Sequence, residues 1–192
     1  MAKRNEFKPD KPRSGFLSKL YLTRLQRLSL LKWLLYTLLL VALSVAQDVV
    51  LCRFSLLGAT TDLVPAGIFL ICTMEGMQSG CLFALFASVA YLFSESSLGP
   101  YTIVFITALA TCSAFVRQSY LQPRFRAAAL CVAASAVAYE LLTFCMGLFL
   151  GLTIFGRIGV FLLTAVWSAA AVMALYPVCL AIGRIGGQQW KE

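Results

Sequence analysis

The chain has 192 residues, 60% of them hydrophobic and 12% charged, with a formal net charge of +8 and no histidine. Soluble domains carry about 25% charged residues, so an ordinary soluble fold is excluded; the lack of imidazole excludes His-based nucleophile activation, His proton relays and imidazole metal sites. The positive charge does not point to nucleic acid, because nine of the sixteen Lys and Arg lie between Lys3 and Lys32, beside an apolar run, which suits anionic lipid headgroups instead.

Met1 to Gly15 is polar and basic, holds Pro9 and Pro12, and shows no apolar periodicity, which predicts a disordered cytoplasmic tail. From Phe16 to Leu31, apolar residues recur at Phe16, Leu17, Leu20, Tyr21, Leu25 and Leu28, while Ser18, Lys19, Thr23, Gln26 and Arg27 mostly share the other face of a helix. This stretch reads either as an amphipathic helix in the headgroup layer or as a cytoplasmic extension of the first span. A cleaved signal peptide is not indicated, since the apolar run from Leu30 is too long and too far in.

Crossing a bilayer takes roughly 20 apolar residues per helical pass, and the apolar runs lack the alternation of barrel strands. Six helical passes are expected. The first runs from Leu30 to Leu51, anchored by Trp33 and Tyr36. The second starts after Gly58, with Asp62 complementing the helix dipole and Pro65 tolerated in the first turns, and reaches about Met74. The turn Glu75 to Gly80 leads into the third, Cys81 to Phe93, which starts near Gln78 if it is to be long enough; a partly re-entrant pair is the alternative. The fourth is Tyr101 to Val116, ending at Arg117 before a basic loop. The fifth, Ala127 to Leu152, is long enough that it must tilt or end early. The sixth runs from Ile158 to Ile182.

The predicted architecture is an all-α integral membrane protein: a tail with the amphipathic stretch over residues 1–29, a six-transmembrane-helix bundle over 30–186, and a short cytoplasmic tail over 187–192. With both termini inside, the cytoplasmic segments hold nine bases in the tail, three after the fourth span and two at the C-terminus, against Arg53 and Arg157 outside. This is the positive-inside pattern, and it makes Asp48, Asp62 and Glu95 external and Glu75 cytoplasmic.

Signs of catalysis are lacking. The seven cysteines lie in or at the ends of spans without Cys-x-x-Cys spacing and read as small packing residues. No paired carboxylates, phosphate-cradling loop or nucleophile elbow occurs, so no enzyme and no cofactor is expected. Glu140 is the outlier. A charge at mid-span costs about 2.5 to 3.5 kcal/mol on insertion scales, so Glu140 is expected to face the interior, protonated and hydrogen-bonded across helices, with a partner-docking or ligand role as the alternative. Small residues recur at Gly76-x-x-x-Gly80, Gly147-x-x-x-Gly151, Ala134-x-x-x-Ala138 and Ala170-x-x-x-Ala174, which lets helix backbones approach closely, within the bundle or against a partner.

Over residues 30 to 186 the chain resembles the MreD family of rod-shape-determining membrane proteins. The resemblance is carried by the order and spacing of Asp62-Leu63-Val64-Pro65, the turn Gly76 to Gly80, Ser97-Leu98-Gly99-Pro100-Tyr101, Tyr139-Glu140-Leu141-Leu142 and Leu175-Tyr176-Pro177. The chain departs from many relatives at Phe93 and Ser94, where they have an aspartate, and at Glu75, where they have a base. The resemblance implies a non-enzymatic scaffold of the cell-wall elongation machinery in the bacterial inner membrane, with MreC, MreB and RodA with its transpeptidase as partners. Its partner or packing candidates are Asp62, Pro65, Gly76, Gly80, Gly99, Pro100, Tyr139 and Glu140. The alternative is the substrate-binding subunit of an energy-coupling-factor vitamin transporter, whose fold looks similar to that of the MreD family. Ala42-x-x-x-Ala46 resembles the small-residue contact of those subunits, but no long outer loop is available to close over a vitamin.

Overall fold

A computed structural model describes residues 24–49, 51, 58–93, 97, 99–121 and 125–185. The tail before Arg24, Arg53, Glu95, Gln122 to Arg124 and the C-terminus beyond Ile185 lie outside the described residues. The described residues form seven α-helices: α1 (Arg24–Val49), α2 (Leu63–Glu75), α3 (Met77–Leu92), α4 (Tyr101–Tyr120), α5 (Phe125–Phe149), α6 (Ile158–Met173) and α7 (Tyr176–Gly183). Four of the helical segments, Gln26–Val49, Tyr101–Tyr120, Phe125–Phe149 and Phe155–Met173, are long and apolar enough to cross a membrane.

The bundle is built around α2. Its sequence, LVPAGIFLICTME, is apolar on every side, and eleven consecutive residues from Leu63 to Thr73 are buried. A helix without a polar face has no side to give to water and belongs inside; here α1, α3, α4, α5, α6 and α7 all pack on it. The outer helices are apolar on both faces. In α1 the buried stripe is Lys32, Tyr36, Leu40, Leu43 and Gln47, while Leu30, Leu34, Leu38, Val41 and Val45 are exposed. A soluble helix would carry charge on that outer face, so the exposed apolar side is a lipid-facing side. Hydroxyls within the helices are satisfied locally: Ser135 Oγ donates to the Cys131 carbonyl at 2.8 Å and Ser44 Oγ to that of Leu40 at 3.1 Å.

At about 1.5 Å per residue, thirteen-residue α2 spans only about 20 Å, less than the hydrocarbon thickness of about 30 Å. Its end groups therefore need partners from neighbouring helices. At the start, Gln47 of α1 accepts the Val64 N–H on Oε1 at 3.1 Å. At the end, Arg117 of α4 donates from Nη1 to the Thr73 carbonyl at 2.5 Å and lies 3.2 Å from Met74 Sδ, where a cation also complements the negative end of the helix dipole.

Several expected boundaries change. The helix of the first span is already formed at Arg24, so from there to Leu31 the chain extends the span. Arg117 does not end α4; the helix continues to Tyr120 and buries Arg117 against α2. The last span is not one continuous helix from Ile158 to Ile182 but breaks at Ala174 and Leu175 between α6 and α7. Pro177, near the start of α7, lacks the N–H that would bond the Met173 carbonyl, and its ring crowds that carbonyl. The fifth helix begins at Phe125 and ends at Phe149, 25 residues, so it is shifted rather than shortened: Gly151 takes φ +70° and the Leu152 N–H returns to the Gly147 carbonyl at 2.8 Å.

Candidate functional site

Two polar clusters cross the bundle, one at each end of α2. The Glu75 end joins α1, α2 and α7. Lys32 Nζ is ion-paired with Glu75 Oε2, both side chains nearly fully buried. The Tyr36 hydroxyl donates to Glu75 Oε1 at 2.8 Å and lies 3.3 Å from the Cys179 carbonyl. Both carboxylate oxygens are thus engaged, and Gly183 of α7 lies against the pair. A buried carboxylate with an ammonium and a phenol on it is a closed, structural arrangement.

The Asp62 end joins α1, α2, α3, α5 and α6. Asp62 occupies the N-cap position of α2 without its side chain capping the helix; Gln47 supplies that bond. Asp62 Oδ1 accepts from Gln47 Nε2 at 3.0 Å and from the Tyr91 hydroxyl at 2.8 Å, and the Asp62 N–H donates to Ser168 Oγ at 2.7 Å. Tyr91 is hydrogen-bonded in turn to Tyr139, whose ring meets Phe69 edge-on at 6.2 Å.

Beside this network lies a cavity of about 400 Å³ lined by Gln47, Asp48, Thr60, Thr61, Asp62, Glu140, Thr143, Arg157, Phe161 and Thr164, among others. Glu140 borders it and is only 6% exposed. The cross-helix hydrogen bond expected of Glu140 is absent: among the described residues it makes no hydrogen bond or ion pair. It shares the cavity lining with Asp48, Asp62 and Arg157. A second orphan borders the same space, since Thr61 Oγ1 is fully buried without a partner.

Of the residues singled out in the sequence, Asp62, Tyr139 and Glu140 come together here, while Pro65 is buried in the first turn of α2. Gly76, at φ +86°, makes the turn between α2 and α3. Gly80 sits inside that hairpin, where a Cβ would meet the Cys72 Cα and carbonyl oxygen at 3.1 Å; its close approach is internal. Gly99, at φ +108°, and the exposed Pro100 open α4 away from both clusters. Sequence reading missed Gln47, Tyr91 and Ser168, and it took Lys32, Tyr36 and Glu75 for interfacial groups. One signal was available: Lys32, Tyr36 and Gln47 fall on a single face of α1.

A third feature faces sideways. Between α1 and α3 runs a groove of about 750 Å³ whose lining includes Trp33, Val41, Leu82, Phe83, Phe86 and Ala90. The described residues contain no group of three or more Cys, Asp and Glu able to hold a metal ion. No family model, curated protein or solved structure matches the chain.

Proposed function

We propose that this chain is a membrane scaffold of the MreD type: a six-pass bundle in the bacterial inner membrane, both termini cytoplasmic, that joins MreC, RodA with its transpeptidase, and MreB. The observation that carries the reading is the lateral groove between α1 and α3. It is walled by aromatic and aliphatic side chains and the small Ala87 and Ala90, a relief that fits a transmembrane helix of a partner. Ala90→Trp would fill the groove from the exposed side of α3. The variant is expected to express and fold normally but to lose co-purification of MreC and to round a rod-shaped host. Retention of MreC together with normal shape would remove the groove from the scaffold reading.

The polar cavity at the Asp62 end favours a second reading, the substrate-binding subunit of an energy-coupling-factor transporter. Depletion separates the two. A scaffold disperses wall synthesis and leaves vitamin supply irrelevant, whereas a transporter subunit produces auxotrophy in cells of normal shape and co-purifies with a coupling subunit and two ATPases. The orientation is tested with single cysteines at Ser96 and Gln122 in a cysteine-free background: an impermeant thiol reagent should label the first from outside and the second only from inside.

A further inference from the structure

We propose that the cavity between Asp62 and Glu140 binds a small primary ammonium compound, with Glu140 as its counter-ion and the Thr61 hydroxyl as a further hydrogen-bond partner. Four observations converge on it. The volume of about 400 Å³ lies in the range of small-molecule sites, roughly 300 to 1,000 Å³. Glu140 is nine-tenths buried and unpartnered on its border, and a buried carboxyl in that condition is costly unless something else supplies a donor. Thr61 is orphaned at the same place. The lining holds three carboxyl groups, Asp48, Asp62 and Glu140, against one guanidinium, Arg157, so its electrostatic preference is for a cation.

The chemistry of the lining narrows the cation. An alkylammonium has three N–H donors; Glu140 and Thr61 accept two, and the lining hydroxyls of Thr60 and Thr164 offer an acceptor for the third. Phe161 and Val160 provide an apolar wall for a short carbon chain. Asp62 already spends Oδ1 on Gln47 and Tyr91, which leaves Glu140 as the principal charge partner. The ammonium can arrive on a free amine or on the headgroup of an ethanolamine lipid. This inference rests on the cavity alone and is independent of the scaffold reading.

The test is calorimetric titration of the purified full-length protein, in maltoside micelles and amine-free phosphate buffer, with propylammonium and with 1-propanol as its neutral counterpart. Propylammonium should bind and 1-propanol should not. Glu140→Gln should weaken the ammonium about tenfold or more, the size of a lost charge-assisted hydrogen bond, and Thr61→Val should weaken it a few-fold. Arg157→Ala, at the exposed rim, should tighten it by removing a competing cation, and that variant keeps the test valid if Glu140→Gln fails to fold. Repeating the titration with phosphatidylethanolamine or phosphatidylglycerol added identifies the source: suppression by the former alone marks a lipid headgroup, and no suppression marks a free amine. Absence of heat with propylammonium, equal binding of 1-propanol, or weaker binding in Arg157→Ala would each overturn the proposal.

Discussion

The two ends of α2 solve the same problem differently. Each places a carboxylate where lipid excludes water, at Glu75 and at Asp62 with Glu140. At the Glu75 end both carboxylate oxygens have a donor, Lys32 on one and Tyr36 on the other. At the Asp62 end one carboxylate takes two donors on Oδ1 while the other borders an open volume with nothing bonded to it among the described residues. The contrast teaches that burial of an acid in a membrane bundle has two meanings. A closed cluster ties helices together; an open one marks where a solute can bind.

The comparison breaks first if the Glu75 cluster is not structural. Lys32→Met strands a buried carboxylate and should cost about 3 to 5 kcal/mol, whereas Lys32→Met combined with Glu75→Met replaces a pair by apolar volume and should recover most of that loss. The measurement is the thermal midpoint of helix loss in detergent for the two single variants and the double. A double variant destabilised by the sum of the two single losses would mean that the pair contributes no coupling.

Arg117 sharpens the same end. Its guanidinium is the donor that satisfies the Thr73 carbonyl at the C-terminus of α2. Arg117→Met leaves that carbonyl unpaired, at about 1 to 3 kcal/mol. The loss should concentrate in α2: amide exchange of Thr73 to Gly76 should accelerate before that of α5, and uniform acceleration would argue against a local cap.

Tyr91→Phe probes the closed half of the other end. It removes one of two donors to Asp62 Oδ1 and leaves Gln47 in place, so the expected cost is about 0.6 to 1 kcal/mol, typical of hydrogen bonds between membrane helices. A loss as large as that of Lys32→Met would show that the Asp62 network holds the bundle as firmly as the ion pair does.

These clusters were unevenly legible in the sequence. The apolar runs located the described helices only approximately, since α1 begins at Arg24 rather than Leu30 and the expected sixth span is split into α6 and α7; α2 is apolar all round, as an enclosed helix can be. The break before α7 runs against the single helix expected from Ile158 to Ile182, although Pro177, with no N–H to continue α6, was a signal for it. Pairings were hidden: Tyr36 and Glu75 are 39 residues apart and Asp62 and Ser168 are 106 apart, and no local rule joins them. Arg117 looked like a loop cation because a charge after an apolar run usually is one; only the position of the short α2 creates the carbonyl it serves. For Glu140 the sequence shows the cost of burial but not whether a donor lies within reach.

That last point reverses a natural expectation and yields the smallest predicted effect. A buried acid that bridges helices should tolerate Glu140→Gln and suffer from Glu140→Leu, because the second change strands the partner. Glu140 has no such partner among the described residues. Removing it therefore strands nothing, so in amine-free buffer both Glu140→Gln and Glu140→Leu should lie within about 0.5 kcal/mol of wild type or slightly above it. The order should change when propylammonium is added: the wild type gains thermal stability by mass action and the two variants do not. A drop in midpoint for Glu140→Leu but not for Glu140→Gln in amine-free buffer would restore the bridging role and place the Asp62 end in the same closed class as the Glu75 end.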